Sequence, residues 1–274
     1  MTQPNEASRD DAPGLPFPSV RTISAAAPFG WISRGVADLL RCPIPSLFYG
    51  FCFAGMGLLV TFVFENHYQY TSALTSGFLL LGPFLAMGLY EISRRHELGQ
   101  SCSLAPTLIV WRRNAGNIGI FAVVLGVVFL VWARASLVVF ALFYTNEMPN
   151  LSGFLGQVLR FENLEFIGVY FAVGLLFATL VFAASVVSIP LMLDRNQDAI
   201  TAMLASFTAL VRNPGAMIVW AFLIVTFTLV GFLSFHLGLT VLMPIIGHAT
   251  WHAYRALVEP LPAPGQAASS STTG

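Results

Sequence analysis

The stretch GHATWHAYRALVE, residues 247–259, sets His248 and His252 four residues apart. On a helix that spacing puts both imidazoles on one face, where they can share a metal ion or hand a proton between partners. Zinc-protease helices use the same spacing, with a glutamate after the first histidine as general base. Ala249 stands there instead, so the hydrolytic signature is missing, and two ligands at helical spacing need a third. A second polar concentration lies at Glu91, Arg94, Arg95, His96 and Glu97. The candidate polar or ligand site is therefore Glu91, Arg94, Arg95, His96, His248, His252 and Arg255. His248 and His252 are the metal or haem candidates, with Glu91 or His96 as third ligand. The reading set beside it is a structural clasp in which Glu91 and the histidines pair with arginines, with Glu91 placed to meet Arg255 or a histidine if the helices carrying the two stretches are neighbours. No Walker A, GxSxG, zinc-cluster or dinucleotide pattern occurs, so no catalytic residue and no cofactor is assigned.

These residues need elements to hold them, and composition says which. Of 274 residues, 56% are hydrophobic and 9% charged, against about 25% charged in soluble domains. Six stretches meet or approach the roughly 20 apolar residues of a membrane-spanning helix: 46–64, 72–90, 117–144, 166–189, 215–235 and 237–254. The fold class is thus an all-α polytopic bundle. Spans two and six run in the same direction, so both polar sets emerge on one face. Pro83 and Pro244 fall inside the same two spans, each removing a backbone hydrogen bond. Broken helices mark transporter sites, and kinks also serve packing. Gly55, Gly57, Gly116 and Gly119 are expected to allow close helix contacts. Arg134, deep in the third span, is expected to snorkel to the far interface.

All thirteen basic residues are arginine. Eleven fall on one side: Arg9, Arg21, Arg34, Arg41, Arg94, Arg95, Arg112, Arg113, Arg195, Arg212 and Arg255. The opposite loops carry Arg160 with Glu65, Glu147, Glu162 and Glu165. The positive side faces the cytoplasm, so both termini are expected inside, in agreement with an even number of spans. Zero net charge argues against a nucleic-acid partner. Residues 1–29 and 260–274 read as disordered tails, the first without the basic and apolar regions of a signal peptide. They flank a membrane domain at 30–259. Cys42, Cys52 and Cys102 form no disulfide framework and read as small apolar residues. Near the end of span six, Trp251 and Tyr254 are expected at headgroup level.

Between spans lie amphipathic pieces. In 31–41, Trp31, Ile32, Val36, Leu39 and Leu40 share one half of a helical wheel, with Arg34, Asp38 and Arg41 opposite. In 196–212 the apolar side is Ile200, Met203, Leu204, Phe207, Leu210 and Val211. Residues 104–113 form a weaker third piece, and 151–161 suggest a short helix on the outer surface. The three cytoplasmic pieces are expected to lie in the headgroup layer or to pack on the spans. Each ends alike: Arg41-Cys42-Pro43, Arg113-Asn114-Ala115 and Arg212-Asn213-Pro214. Asparagine before proline or alanine suits an N-cap. The pattern reads as three copies of one unit: surface helix, sharp turn, span, span back.

The stretches GPFLAMGLYEISRRHELG (82–99) and GHATWHAYR (247–255) resemble a bacterial family of integral membrane proteins classed as a domain of unknown function. The resemblance covers about residues 30–258 and implies six spans in the inner membrane, with no activity attached. The three-unit plan is also similar to other multi-span families, including the membrane domain joined to some glycerophosphodiesterases. Two functions stay open. One is a structural, assembly or partner-binding protein whose partners are the lipid bilayer and other membrane proteins. The alternative is a small-solute transporter or channel with a polar site between spans two and six. Metal or haem binding through His248 and His252 stands behind these.

Overall fold

The computed structural model describes residues 17–66, 71–143 and 164–260, the side chains of 64–66 and 71–81 excepted. The expected outer helix at 151–161 lies outside these residues. The chain forms α1 (Ala27–Arg41), α2 (Pro43–Asn66), α3 (Thr71–Glu97), α4 (Ala105–Leu108), a 3-10 turn (Val110–Asn114) and α5 (Ala115–Phe143). It continues with α6 (Leu164–Ser185), α7 (Ser188–Arg195), α8 (Ala199–Arg212), α9 (Pro214–Leu233) and α10 (Leu239–Leu257). Among the described residues the only extended pairing is one antiparallel bridge, Val20 with Val258. Residue 20, read as part of a disordered tail, is thus held against the end of α10.

Four stretches among the described residues are long and apolar enough to cross a membrane: Pro43–Val63, Val110–Phe143, Leu164–Arg195 and Pro214–Leu233. Their large side chains point outward, as with Leu58, Val127, Leu175 and Phe222. Lipid solvates apolar groups as well as a core does, so membrane helices need not bury them. α10 has the opposite character. Fourteen of its nineteen residues are buried, including both histidines, and α1, α2, α3 and α9 pack around it. It is the axis of one half of the molecule, while α5, α6 and α8 form the other.

Close approach to α10 depends on missing side chains. A Cβ on Gly35 of α1 would stand 2.6 Å from the Ile245 carbonyl oxygen. One on Gly50 of α2 would collide with the Thr240 carbonyl oxygen. Thr240 is the residue whose hydrogen bond Pro244 deletes, so its freed carbonyl lies against the Gly50 backbone, where a weak Cα–H contact can cover it. Gly57 faces His236 and Leu239 in a similar way, but Gly55, Gly116 and Gly119 face open space. Three of the four glycines expected to serve packing therefore do not.

The amphipathic pieces are helices, but their buried faces differ from the wheel reading. In α1 the buried residues include Trp31, Gly35, Asp38 and Leu39, while Leu40 is exposed. Asp38 lies inside because it has partners there. In α8 the buried face is Ala199, Ala202, Ala205, Ser206 and Ala209, and Ile200, Leu204, Phe207 and Val211 point outward. Small residues let α8 lie close on α6 and α7; the bulky face is left to the surroundings. The third piece breaks into α4 and the 3-10 turn.

The joints after these pieces are single residues, and each is tied to a distant segment. Cys42 is disulfide-bonded to Cys102, with Cα atoms 5.5 Å apart. This corrects the expectation that neither cysteine is paired: the end of α1 and the segment after α3 meet at one level. Asn114 donates to the carbonyls of Met192 (3.2 Å) and Gln197 (2.8 Å). Asn213 accepts from Ile23 N–H (2.8 Å) and donates to the Arg21 carbonyl (2.9 Å). It stands at the N-cap position of α9, but its side chain makes no cap bond there; the carboxamide instead donates to the Ala209 carbonyl in the last turn of α8 and reaches across the fold.

Candidate functional site

The site is built where α1, α2, α3 and α10 converge. Five side chains come from three helices: Ser46 in the first turn of α2, Ser93 and His96 about one turn apart in α3, and His248 and His252 one turn apart in α10. Asp38 of α1 enters between them. It is 3% exposed and binds three donors. Ser93 Oγ donates to Oδ2 at 2.6 Å, His252 Nε2 lies 2.9 Å from Oδ2, and His96 Nδ1 lies 2.6 Å from Oδ1. Burial by itself would raise the Asp38 carboxyl, but these bonds outweigh it and hold the group at about 2, below its ordinary 3.8.

His248 is fully buried. Its Nδ1 lies 2.8 Å from Ser93 Oγ and its Nε2 lies 2.9 Å from Ser46 Oγ. Ser93 has given its one proton to Asp38, so it accepts from His248, and Nδ1 carries hydrogen. Ser46 has one proton and two acceptors in reach, His248 Nε2 and the Cys42 carbonyl at 2.7 Å. With a neutral ring Ser46 donates to Nε2. With a charged ring Nε2–H donates to Ser46, whose hydroxyl turns to the carbonyl. The chain Asp38–Ser93–His248–Ser46 is satisfied in either form without moving a heavy atom.

A second cluster lies beside the first. Glu91, 1% exposed, receives Arg94 Nε at 2.8 Å, Arg95 Nε at 3.1 Å and Arg113 Nη1 and Nη2 at 2.8 and 2.9 Å. Glu91 therefore meets neither Arg255 nor a histidine. Arg255 Nε pairs with Glu97 at 3.3 Å, and Glu97 also lies 3.7 Å from His252 Nδ1. Tyr254 donates to Asp194 at 2.5 Å. Trp251 and Tyr254 are buried, contrary to the headgroup placement.

Of the sequence candidates, Glu91, Arg94 and Arg95 fall in the second cluster. His96, His248 and His252 fall in the first, and Arg255 bridges toward it through Glu97. Asp38, Ser46, Ser93 and Arg113 were missed. Asp38 had one available signal: it is the only acid in α1, between two arginines that had no stated partner. Among the described residues no three His, Cys, Asp or Glu side chains are grouped to hold a metal ion, and both ring nitrogens of His248 are engaged by hydroxyls.

The apolar outward-facing helices and the sealed polar centre define a helical integral membrane protein. Residues 71–194 match a family model described as "Predicted integral membrane protein (DUF2189)". The family is one of unknown function. The matched stretch runs from α3 into α7; it includes Glu91, Ser93, His96 and Arg113 and stops short of α10. No curated protein and no solved structure matches the chain.

Proposed function

We propose that this chain is a six-span protein of the bacterial inner membrane, with both termini cytoplasmic, that acts as a structural or assembly component. In this reading α3 and α10 are the second and sixth spans, and residues 30–259 form the membrane domain between two tails. The arginine distribution supports the orientation. The threefold unit is supported by the order of elements and by the joints. Cys42, Asn114 and Asn213 each end a surface helix, and each ties to the segment that follows its own unit's second long helix or lies beside that helix's end.

The observation that carries the structural reading is the closed hydrogen bonding of Asp38, Ser93, His248 and Ser46. A solute path needs polar groups with unmet capacity facing a passage. Here each group is met by protein, and the carbonyl freed by Pro244 is covered by Gly50. Buried charge with complete partners is a device for fixing one arrangement of helices. The test is reconstitution into liposomes with a pH-sensitive dye inside. The expected result is proton and small-ion flux equal to that of empty liposomes. A flux that Asp38→Asn abolishes, in protein that keeps its thermal midpoint, would establish the transport alternative instead.

A further inference from the structure

A cleft of about 410 Å³ opens between α2, α3, α4 and the 3-10 turn, lined by Tyr49, Phe84, Leu85, Met87, Leu108 and Trp111 among others. Its volume falls in the range of small-molecule sites. The lining is apolar apart from Tyr49 and Thr107, whose hydroxyls bond each other at 2.8 Å and so present little polarity. Phe84, Leu108 and Trp111 at its mouth are 37%, 47% and 44% exposed.

A charge surplus adjoins the lining along the chain. Glu91 follows Met87 by one turn of α3, and Arg113 follows Trp111 by two residues. Three guanidiniums converge on the single Glu91 carboxylate, with side chains 22%, 18% and 42% exposed for Arg94, Arg95 and Arg113. Each guanidinium has five N–H donors, and Glu91 accepts five bonds from all three. Arg112 adds a fourth cation, stacked on Trp111 at 5.5 Å. Asp194, whose charge also acts on Arg94, is already engaged by Tyr254 and Arg255. The cluster thus sets three guanidiniums on one carboxylate, with donors to spare, and it continues the two elements that carry the lining residues Met87 and Trp111.

We infer that this cleft seats an anionic phospholipid: an acyl segment lies along Phe84, Leu85 and Leu108, and the phosphate meets Arg95, Arg112 and Arg113. An acyl chain matches the lining, a phosphate matches guanidinium geometry, and basic pockets beside membrane helices take anionic headgroups. A soluble anion would leave the apolar walls unused, and a neutral lipid would leave the arginines unmatched.

The test uses the full chain in vesicles with a tenth of the lipid brominated, either as phosphatidylglycerol or as phosphatidylcholine. Bromine quenches nearby tryptophan, and subtraction of the Trp111→Phe signal isolates Trp111. The expected result is stronger quenching by the brominated phosphatidylglycerol, with the preference reduced about fivefold in Arg112→Gln and unmoved by added inorganic phosphate. Both substitutions alter exposed side chains outside the Glu91 cluster, and unchanged thermal midpoints will confirm that they fold. Equal quenching by the two lipids, an unchanged preference in Arg112→Gln, or abolition of the preference by inorganic phosphate would each overturn the assignment.

Discussion

Asp38 concentrates the energetics of the site. A carboxylate taken out of water is stable only when its oxygens are bonded, and three donors from two other helices satisfy it here. Its pKa is lower folded than unfolded, so its contribution is present above about pH 4 and is lost as pH falls through about 2. The difference corresponds to about 2 kcal/mol. Thermal unfolding in detergent should therefore show a midpoint that drops between pH 4 and pH 2, and the drop should be shallower in Asp38→Asn. At neutral pH Asp38→Asn should itself lose about 3 kcal/mol, because an amide meets donors with a donor. A sequence shows that α10 carries two histidines on one face. It does not show that an acid from α1, more than two hundred residues away, stands against them. A helical wheel sends every charge to water, and only tertiary contact reverses that.

Helix positions were legible because a bilayer demands long apolar runs: the expected 46–64 and 215–235 became 43–66 and 214–233. Helix faces were not. The stripe rule assumes that bulky apolar residues seek the protein interior, whereas α8 turns alanine inward and leaves Ile200, Leu204, Phe207 and Val211 outside. The same reversal explains the glycines, whose role depends on what lies opposite. Gly50→Ala should destabilise by about 1–3 kcal/mol, since its Cβ would strike backbone that cannot yield. Gly116→Ala should be neutral or stabilise by up to about 1 kcal/mol, since its Cβ meets nothing. Thermal midpoints of the two variants side by side check the contrast; equal losses would mean that α2 and α10 are not in contact at Gly50.

For the whole molecule, orientation and the cysteine pair bear on each other. If the arginine-rich face is cytoplasmic, the Cys42–Cys102 bond lies in a reducing compartment, where such bonds are rarely kept. Thiol alkylation in intact cells, quenched before lysis, should find both free, with the bond forming on purification in air. In a background with the native cysteines replaced, Arg95→Cys and Gln157→Cys should be labelled from opposite sides of the membrane. Labelling from the same side would contradict six spans.

The central claim is that Asp38 ties α1 to α10 as a structural node. A double-mutant cycle with Asp38→Asn and His252→Gln, read by thermal unfolding of the purified protein, tests it most directly. The account predicts single losses that overlap, with the double variant less damaged than their sum by about 1–3 kcal/mol. Losses that simply add would mean that the two side chains do not hold each other, and the clasp would be wrong.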